Sequence, residues 1–391
     1  MNHNKLIFVL TCCSFLVGID ALIIAPLIPI LSNQVGFPIE SGGLLVTSYA
    51  LFYGLAAPLF GPLSDRIGRK KMIIAGLALF GLGTAFTAIG SSLYELLLLR
   101  SIAGIGGAMV MPSVFALIGD TISSELRGRA MGRITGAMGA ANLLGIPLGL
   151  FLTEIVSWKV SFLLVGGITL ALTYIAWLFL PIGTQSMNHN FTVGKSVALL
   201  FSNRSIPFAL LSTFLWWAAF QGLFANMGIF YTVNFGVSAA VLGIIFSIAG
   251  LGNFLGNRFG GIMSDRFGRK RILMIACLCC AVFIVSIPFM TPWFYAAVVL
   301  QFIWAFATGV GQSSLTTFMS ELNPALRGTV LAFNSSATYL GMTFSTALAS
   351  GLLHTGGFYT VGLICGFFVL LVPMILQFLH VKEADSGKSR T

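Results

Sequence analysis

Apolar runs of roughly 18 to 25 residues, the length that carries a helix across a hydrocarbon core of about 30 Å, follow one another along almost the whole chain. Twelve of them predict twelve spans, at about residues 6–31, 42–62, 72–91, 95–118, 130–153, 160–180, 205–232, 239–262, 272–290, 293–318, 328–352 and 358–379. The polar punctuation between the runs repeats. Gly61-Pro62-Leu63-Ser64-Asp65-Arg66-Ile67-Gly68-Arg69-Lys70-Lys71 returns 200 residues later as Gly261-Ile262-Met263-Ser264-Asp265-Arg266-Phe267-Gly268-Arg269-Lys270-Arg271, and Leu126-Arg127-Gly128 returns as Leu326-Arg327-Gly328. A repeat of half the chain places six spans in each copy, so the expected fold is an all-α membrane protein of two pseudo-symmetric six-helix bundles. Residues 1–180 would form the N-terminal bundle and 205–381 the C-terminal one. Residues 181–204 would be a polar linker with an amphipathic stretch from Val193 to Phe201, and 382–391 a short charged tail.

Composition excludes a soluble domain: 57% of residues are hydrophobic, 8% are charged, and the mean hydropathy is +0.97. The net charge of +10 is explained by topology. Lys5, both repeat loops, Arg127, Arg129, Arg133, Lys195, Arg204, Arg327, Lys382, Lys388 and Arg390 fall on one side of the predicted spans, against Lys159 on the other. Positive charge near span ends stays cytoplasmic, so a multi-pass protein of the inner (plasma) membrane with both termini cytoplasmic is expected. No nucleic-acid partner is then needed to explain the basic pI. The N-terminal apolar run continues past the length of a signal peptide and is read as the first span.

The six cysteines lie inside apolar runs, where they pack as small soft side chains, and the four histidines lie at span ends or in loops. No metal, cofactor or disulfide framework follows. With no nucleotide-binding loop and no soluble domain, enzymatic activity is not expected, and no ring of repeated charges suggests a channel.

Asp20 stands alone in the apolar segment Val17-Gly18-Ile19-Asp20-Ala21-Leu22-Ile23-Ile24-Ala25-Pro26. A carboxylate at the bilayer centre costs about 2.5 to 3.5 kcal/mol even on the insertion scale, and an apolar medium disfavours its charged form. Such a group is suited to taking up and releasing a proton; the alternative is a permanently paired structural carboxylate. Arg100 is the expected partner. At about 1.5 Å per residue, Asp20 lies roughly 21 Å into the first span, and Arg100, entering the fourth span from the opposite side, reaches a similar depth.

These residues also carry a resemblance. Gly61 to Lys71 resembles the signature loop between the second and third helices of the major facilitator superfamily, and Gly261 to Arg271 its echo between the eighth and ninth. The resemblance covers essentially the whole chain. It implies a conformational latch that holds the outward-facing state, with Asp65, Arg69 and Asp120 in the first half and Asp265, Arg269 and Glu321 in the second; a loop that only fixes topology is the alternative. The segment around Asp20 resembles the first-helix motif of the superfamily's drug/proton antiporters. Arg100-Ser101-Ile102-Ala103-Gly104-Ile105-Gly106-Gly107-Ala108 resembles the fourth-helix motif whose Arg is associated with proton coupling. In the fifth span Gly136, Gly145 and Gly149 fit the antiporter spacing, but Leu150 stands at a proline position and Thr153-Glu154 at the final glycines.

Trp216, Phe220 and Phe224 recur every four residues on the seventh span, with Trp217 and Gln221 on the adjacent stripe. Such a face suits a lipophilic ligand, or it is ordinary packing. The substrate-binding candidates are Tyr49, Asn142, Trp217, Gln221 and Asn334. The expected function is proton-coupled secondary transport by alternating access, as an exporter of lipophilic or amphipathic small molecules. The alternative is a specific carrier for a sugar, nucleoside, amino acid or siderophore on the same scaffold. The expected partners are a small-molecule substrate, protons and the lipid bilayer, and the protein is expected to be a monomer.

Overall fold

Three spans start where a serine meets a helix end. Ser92, Ser157 and Ser238 each accept, through the side-chain oxygen, from a backbone N–H of the first turn they precede, satisfying a donor that has no partner within the helix. The Glu95 carboxylate completes the first of these by accepting from the Ser91 backbone N–H at 2.8 Å and from its hydroxyl at 2.9 Å.

In a computed structural model of the protein, residues 3–122, 124–181, 205–321 and 327–377 are described. The first half comprises α1 (His3–Val35), α2 (Gly43–Ile67), α3 (Arg69–Thr87), α4 (Leu93–Thr121), α5 (Ser124–Ala140), α6 (Ile146–Ile155) and α7 (Trp158–Phe179). The second comprises α8 (Ser205–Phe224), α9 (Met227–Phe235), α10 (Ala239–Phe267), α11 (Arg269–Ser286), α12 (Phe294–Glu321) and α13 (Arg327–Gln377). The linker and tail predicted at 181–204 and 382–391, with the amphipathic stretch, lie outside the described residues apart from residue 181.

Among the described residues, eleven helical stretches are long and apolar enough to cross a membrane, and the last, Phe333–Gln377, has 45 residues. At about 1.5 Å per residue it is twice the thickness of a hydrocarbon core, and it breaks at Gly357, whose φ of 66° and ψ of −165° lie outside the helical region. It therefore holds two spans, which makes twelve. The two signature loops share one conformation: Gly68 has φ 102°, ψ 133° and Gly268 has φ 90°, ψ 135°. The positive φ favours glycine, and the ψ values are extended rather than those of a left-handed helix. A single residue in this conformation ends one helix and starts the next.

Within each half the helices form one bundle. In the first, α1 packs on α5, α6 and α7, while α3 and α4 pack on each other. In the second, α8 packs on α13 and α10 on α12. The halves meet where α2 faces α13, α6 faces α10 and α1 faces α9. The end carrying the Gly68 and Gly268 loops is called the basic end below.

Several named contacts between the halves fall between the middle of the molecule and the end opposite the basic one. The Thr47 and Thr346 hydroxyls are 2.8 Å apart. Gly43 lies against Ser350, and Gly228 of α9 against Pro26 of α1. The Ala240 backbone N–H, in the first turn of α10, donates to the Glu154 carboxylate of α6 at 3.2 Å. These contacts bring the two halves together at the end opposite the basic one.

Candidate proton-coupling site

Asp20, in the middle of α1, and Arg100, two turns into α4, are both 0% exposed and 2.8 Å apart. Arg100 Nη1 donates to both Asp20 carboxylate oxygens, at 2.9 and 2.8 Å, and Nη2 donates to the Asp20 backbone oxygen at 3.0 Å. The Arg100 Nε has no partner among the described residues. The guanidinium also lies over the ring of Tyr49, 4.7 Å from its centroid, an arrangement in which the ring quadrupole attracts the cation.

Glycine spacing makes this approach possible. Gly104 and Gly107, one and two turns past Arg100, press directly on the Tyr49 backbone and hydroxyl, so a Cβ at Gly104 would displace α2 and one at Gly107 would push on the Tyr49 and Tyr53 side chains. Gly145 and Gly149 of the fifth span sit against Ile19 and Ile23 on either side of Asp20. Between α5 and α6 the helix widens into a π turn over Ala141–Gly145, a feature often found at functional positions, and Pro147 follows at the start of α6.

The structure places Tyr49 with the ion pair rather than on its own. Its ring is 6.4 Å from Tyr339, and Tyr53, one turn further along α2, stacks on Tyr339 at 3.7 Å. Tyr339 belongs to α13. A continuous set of contacts thus runs from the Asp20–Arg100 pair to the junction of the halves.

The remaining candidates are dispersed. Gln221 is fully buried and neither atom of its amide has a protein partner. Trp217 is half-buried and meets Phe220 edge-on at 5.6 Å. Asn334 accepts from the Thr213 hydroxyl at 2.7 Å, joining α8 to α13 inside the second half. The side chain of Asn142 lies outside the described residues. The aromatic stripe is packed within the second half: Phe220 lies 5.0 Å from Phe224 and 5.4 Å from Trp304, and Phe224 lies 5.3 Å from Phe246.

At the basic end Arg69 donates from Nε to the Asp120 carboxylate at 3.2 Å and from Nη1 to the Ser64 hydroxyl. This joins α3, α4 and α2 of one half, and it is present while the halves meet at the opposite end. The Arg69–Asp120 arm therefore does not itself span the halves. The side chains of Asp65, Asp265 and Glu321 lie outside the described residues, and Arg269 retains polar or electrostatic interactions of its own.

Residues that sequence reasoning did not single out also carry buried polarity. Gln301 and Trp304 of α12 are buried, with both amide atoms and the indole N–H without a protein partner, as is the indole N–H of Trp216. Gln301 and Trp304 are three apart on one helix, and Trp304 contacts Phe220. An isolated glutamine in an apolar run was the available signal.

Two six-helix bundles, fully buried charges at mid-membrane depth and contacts between the halves confined in these examples to one side define the architecture of an alternating-access carrier. The Major Facilitator Superfamily profile matches residues 10–233 and 209–391, and the chain belongs to that superfamily of membrane transporters. It is 26% identical over 377 residues to the MFS-type transporter YwfA of Bacillus subtilis, covering 95% of this chain and 91% of that one. It is 25% identical over 359 residues to the quinolone resistance protein NorA of Staphylococcus aureus, covering 89% of this chain and 90% of that one. Among solved structures, a D-xylose–proton symporter matches with a TM-score of 0.77 over 97% of this chain and 98% of that one, at 19% identity. That likeness is one of fold.

Proposed function

We propose that the protein is a proton-coupled exporter of lipophilic or amphipathic small molecules, with Asp20 as the proton-carrying group. The observation that carries this reading is the Asp20–Arg100 pair, fully buried and joined by three hydrogen bonds. Protonating Asp20 would leave Arg100 as an unpaired buried cation, and breaking such a pair costs about 3 to 5 kcal/mol. Proton uptake is then tied to a rearrangement that gives Arg100 other partners. Since Arg100 also rests on Tyr49, and Tyr49 and Tyr53 meet Tyr339 of the other half, that rearrangement bears on the interface that must open. With the basic end cytoplasmic, the end where the halves meet would face outside, the state in which an ionised Asp20 would have released its proton inward.

Resemblance to a quinolone resistance protein supports a drug-like substrate, as does the aromatic character of the seventh span. The latch residues at the basic end, Asp65, Arg69 and Asp120 with Asp265, Arg269 and Glu321, would bias the balance between states. Uptake of a panel of lipophilic compounds into everted membrane vesicles, with and without an uncoupler, tests the reading. Accumulation that collapses on uncoupling supports it, and gradient-independent uptake contradicts it.

A further inference from the structure

We propose that a groove on the outer face of the first half holds one anionic phospholipid from the leaflet at the basic end. The groove lies between α1, α5 and α7, has a volume of about 870 Å³, and is walled by Phe8, Phe15 and Leu16 of α1, Gly136 of α5 and Ile175 of α7. The groove is open at the surface, where Phe8 is 68% exposed, and apolar walls of this kind gain by being covered by hydrocarbon rather than water. A space of this size and character in a bilayer is filled by a hydrocarbon chain.

Length and depth fit one leaflet. From Asn4 to Leu16, both lining residues, α1 rises about 18 Å, close to half of a hydrocarbon core of about 30 Å plus the inner edge of the headgroups. The groove ends one helical turn below Asp20.

Charge selects the occupant. Arg133 lines the groove and makes no hydrogen bond or ion pair with any described residue, while the neighbouring Ile134 carbonyl accepts from Ser14 at 2.8 Å. That contact sets Arg133 near the level of Ser14, about 9 Å below Asp20. Its guanidinium must therefore reach toward the headgroups to stay solvated, and a phosphate offers it paired acceptors in matching geometry. Lys5, whose ammonium lies 5.5 Å from the Phe179 ring centroid, adds a second cation at the same end. No carboxylate is among the lining residues. A zwitterionic lipid would fill the walls equally well but would gain less from these cations.

Native mass spectrometry of the purified full-length protein tests this, with phosphatidylglycerol and phosphatidylcholine of identical chains supplied separately in detergent. The expected result is one retained phosphatidylglycerol and several-fold weaker retention of phosphatidylcholine. Arg133→Gln should weaken phosphatidylglycerol retention roughly fivefold, the effect of one cation near an anionic surface. Gly136→Leu should displace both lipids. A Cβ at Gly136 meets nothing within 4 Å, so this variant fills the groove without disturbing the helices. Equal retention of the two lipids by the wild type, or unchanged retention in both variants, would overturn the proposal. So would a dimer that Gly136→Leu dissociates, because the groove would then belong to a second copy of the chain.

Discussion

Arg100 donates three hydrogen bonds to Asp20, two to its carboxylate and one to its backbone oxygen, and its Nε has no partner among the described residues. The pair is therefore fixed to α1 by main chain as well as side chain. If Asp20 takes a proton, the charge pairing is lost while the bond to the backbone oxygen does not depend on the carboxylate, so the cation can turn without leaving the helix. This geometry suits a switch better than a rigid brace, which would use every donor.

Stability should separate from coupling at this pair. Arg100→Gln alone strands a buried carboxylate and should destabilise the folded protein by about 3 to 5 kcal/mol. Adding Asp20→Asn removes the stranded charge and should restore most of that loss without restoring transport. Thermal unfolding of the single and double variants in one detergent is the measurement. A double variant no more stable than Arg100→Gln would show that the pair's electrostatics are not what the single change disturbs.

Tyr339 should report on the junction of the halves. Replacing it with Ala removes the 3.7 Å stack on Tyr53, a contribution of about 0.5 to 1.5 kcal/mol beyond area, and should shift the population toward the open outer face roughly two- to tenfold. Distances between spin labels at the outer end of α2 and beside Gly357 of α13 would lengthen on average. Identical distance distributions in variant and wild type would rule the stack out as a closing contact.

Glu154 should act on the same equilibrium through a different contact. Its carboxylate accepts from Ala240 in the first turn of α10, where a negative charge contributes about 0.3 to 1 kcal/mol. Glu154→Gln should weaken outer closure up to about fivefold, and less so at high salt, where such exposed charge effects are screened. The same spin-label distances measured at low and high ionic strength would check it; a shift that grows with salt would contradict the electrostatic account.

At the basic end, Asp65→Asn is expected to shift the balance toward the inward-open state and slow turnover without loss of the fold. Charge-assisted hydrogen bonds of about 1.5 to 3 kcal/mol each are enough to move a balanced equilibrium tenfold or more. Labels on the basic ends of the two halves would detect the change. Unchanged distances would leave the signature loop as a topology signal.

Much of this architecture could be read from the chain because a bilayer allows so few solutions. Spans must be about 20 apolar residues long, and a lone Asp20 among them has no bland explanation in composition. The depth of Arg100 follows from counting residues. Tyr49 was less legible: its polarity marks it as buried and useful, but its place under Arg100 depends on Gly104 and Gly107 letting α2 and α4 touch. Tyr53 and Tyr339 escaped notice because their contact joins the two halves, and neither sequence neighbourhood carries the register between them. The break at Gly357 was legible, since the apolar runs 328–352 and 358–379 leave a gap that holds it; what the chain did not show is that helix continues on both sides of this one residue with no loop between.

The most direct test of Asp20 as the coupling group uses Asp20→Asn in proteoliposomes, comparing uphill transport driven by a pH gradient with exchange of labelled for unlabelled substrate at equal pH. The amide keeps the shape but cannot ionise. The account predicts that gradient-driven accumulation disappears while exchange persists in part. Undiminished gradient-driven accumulation by the Asn variant would contradict it.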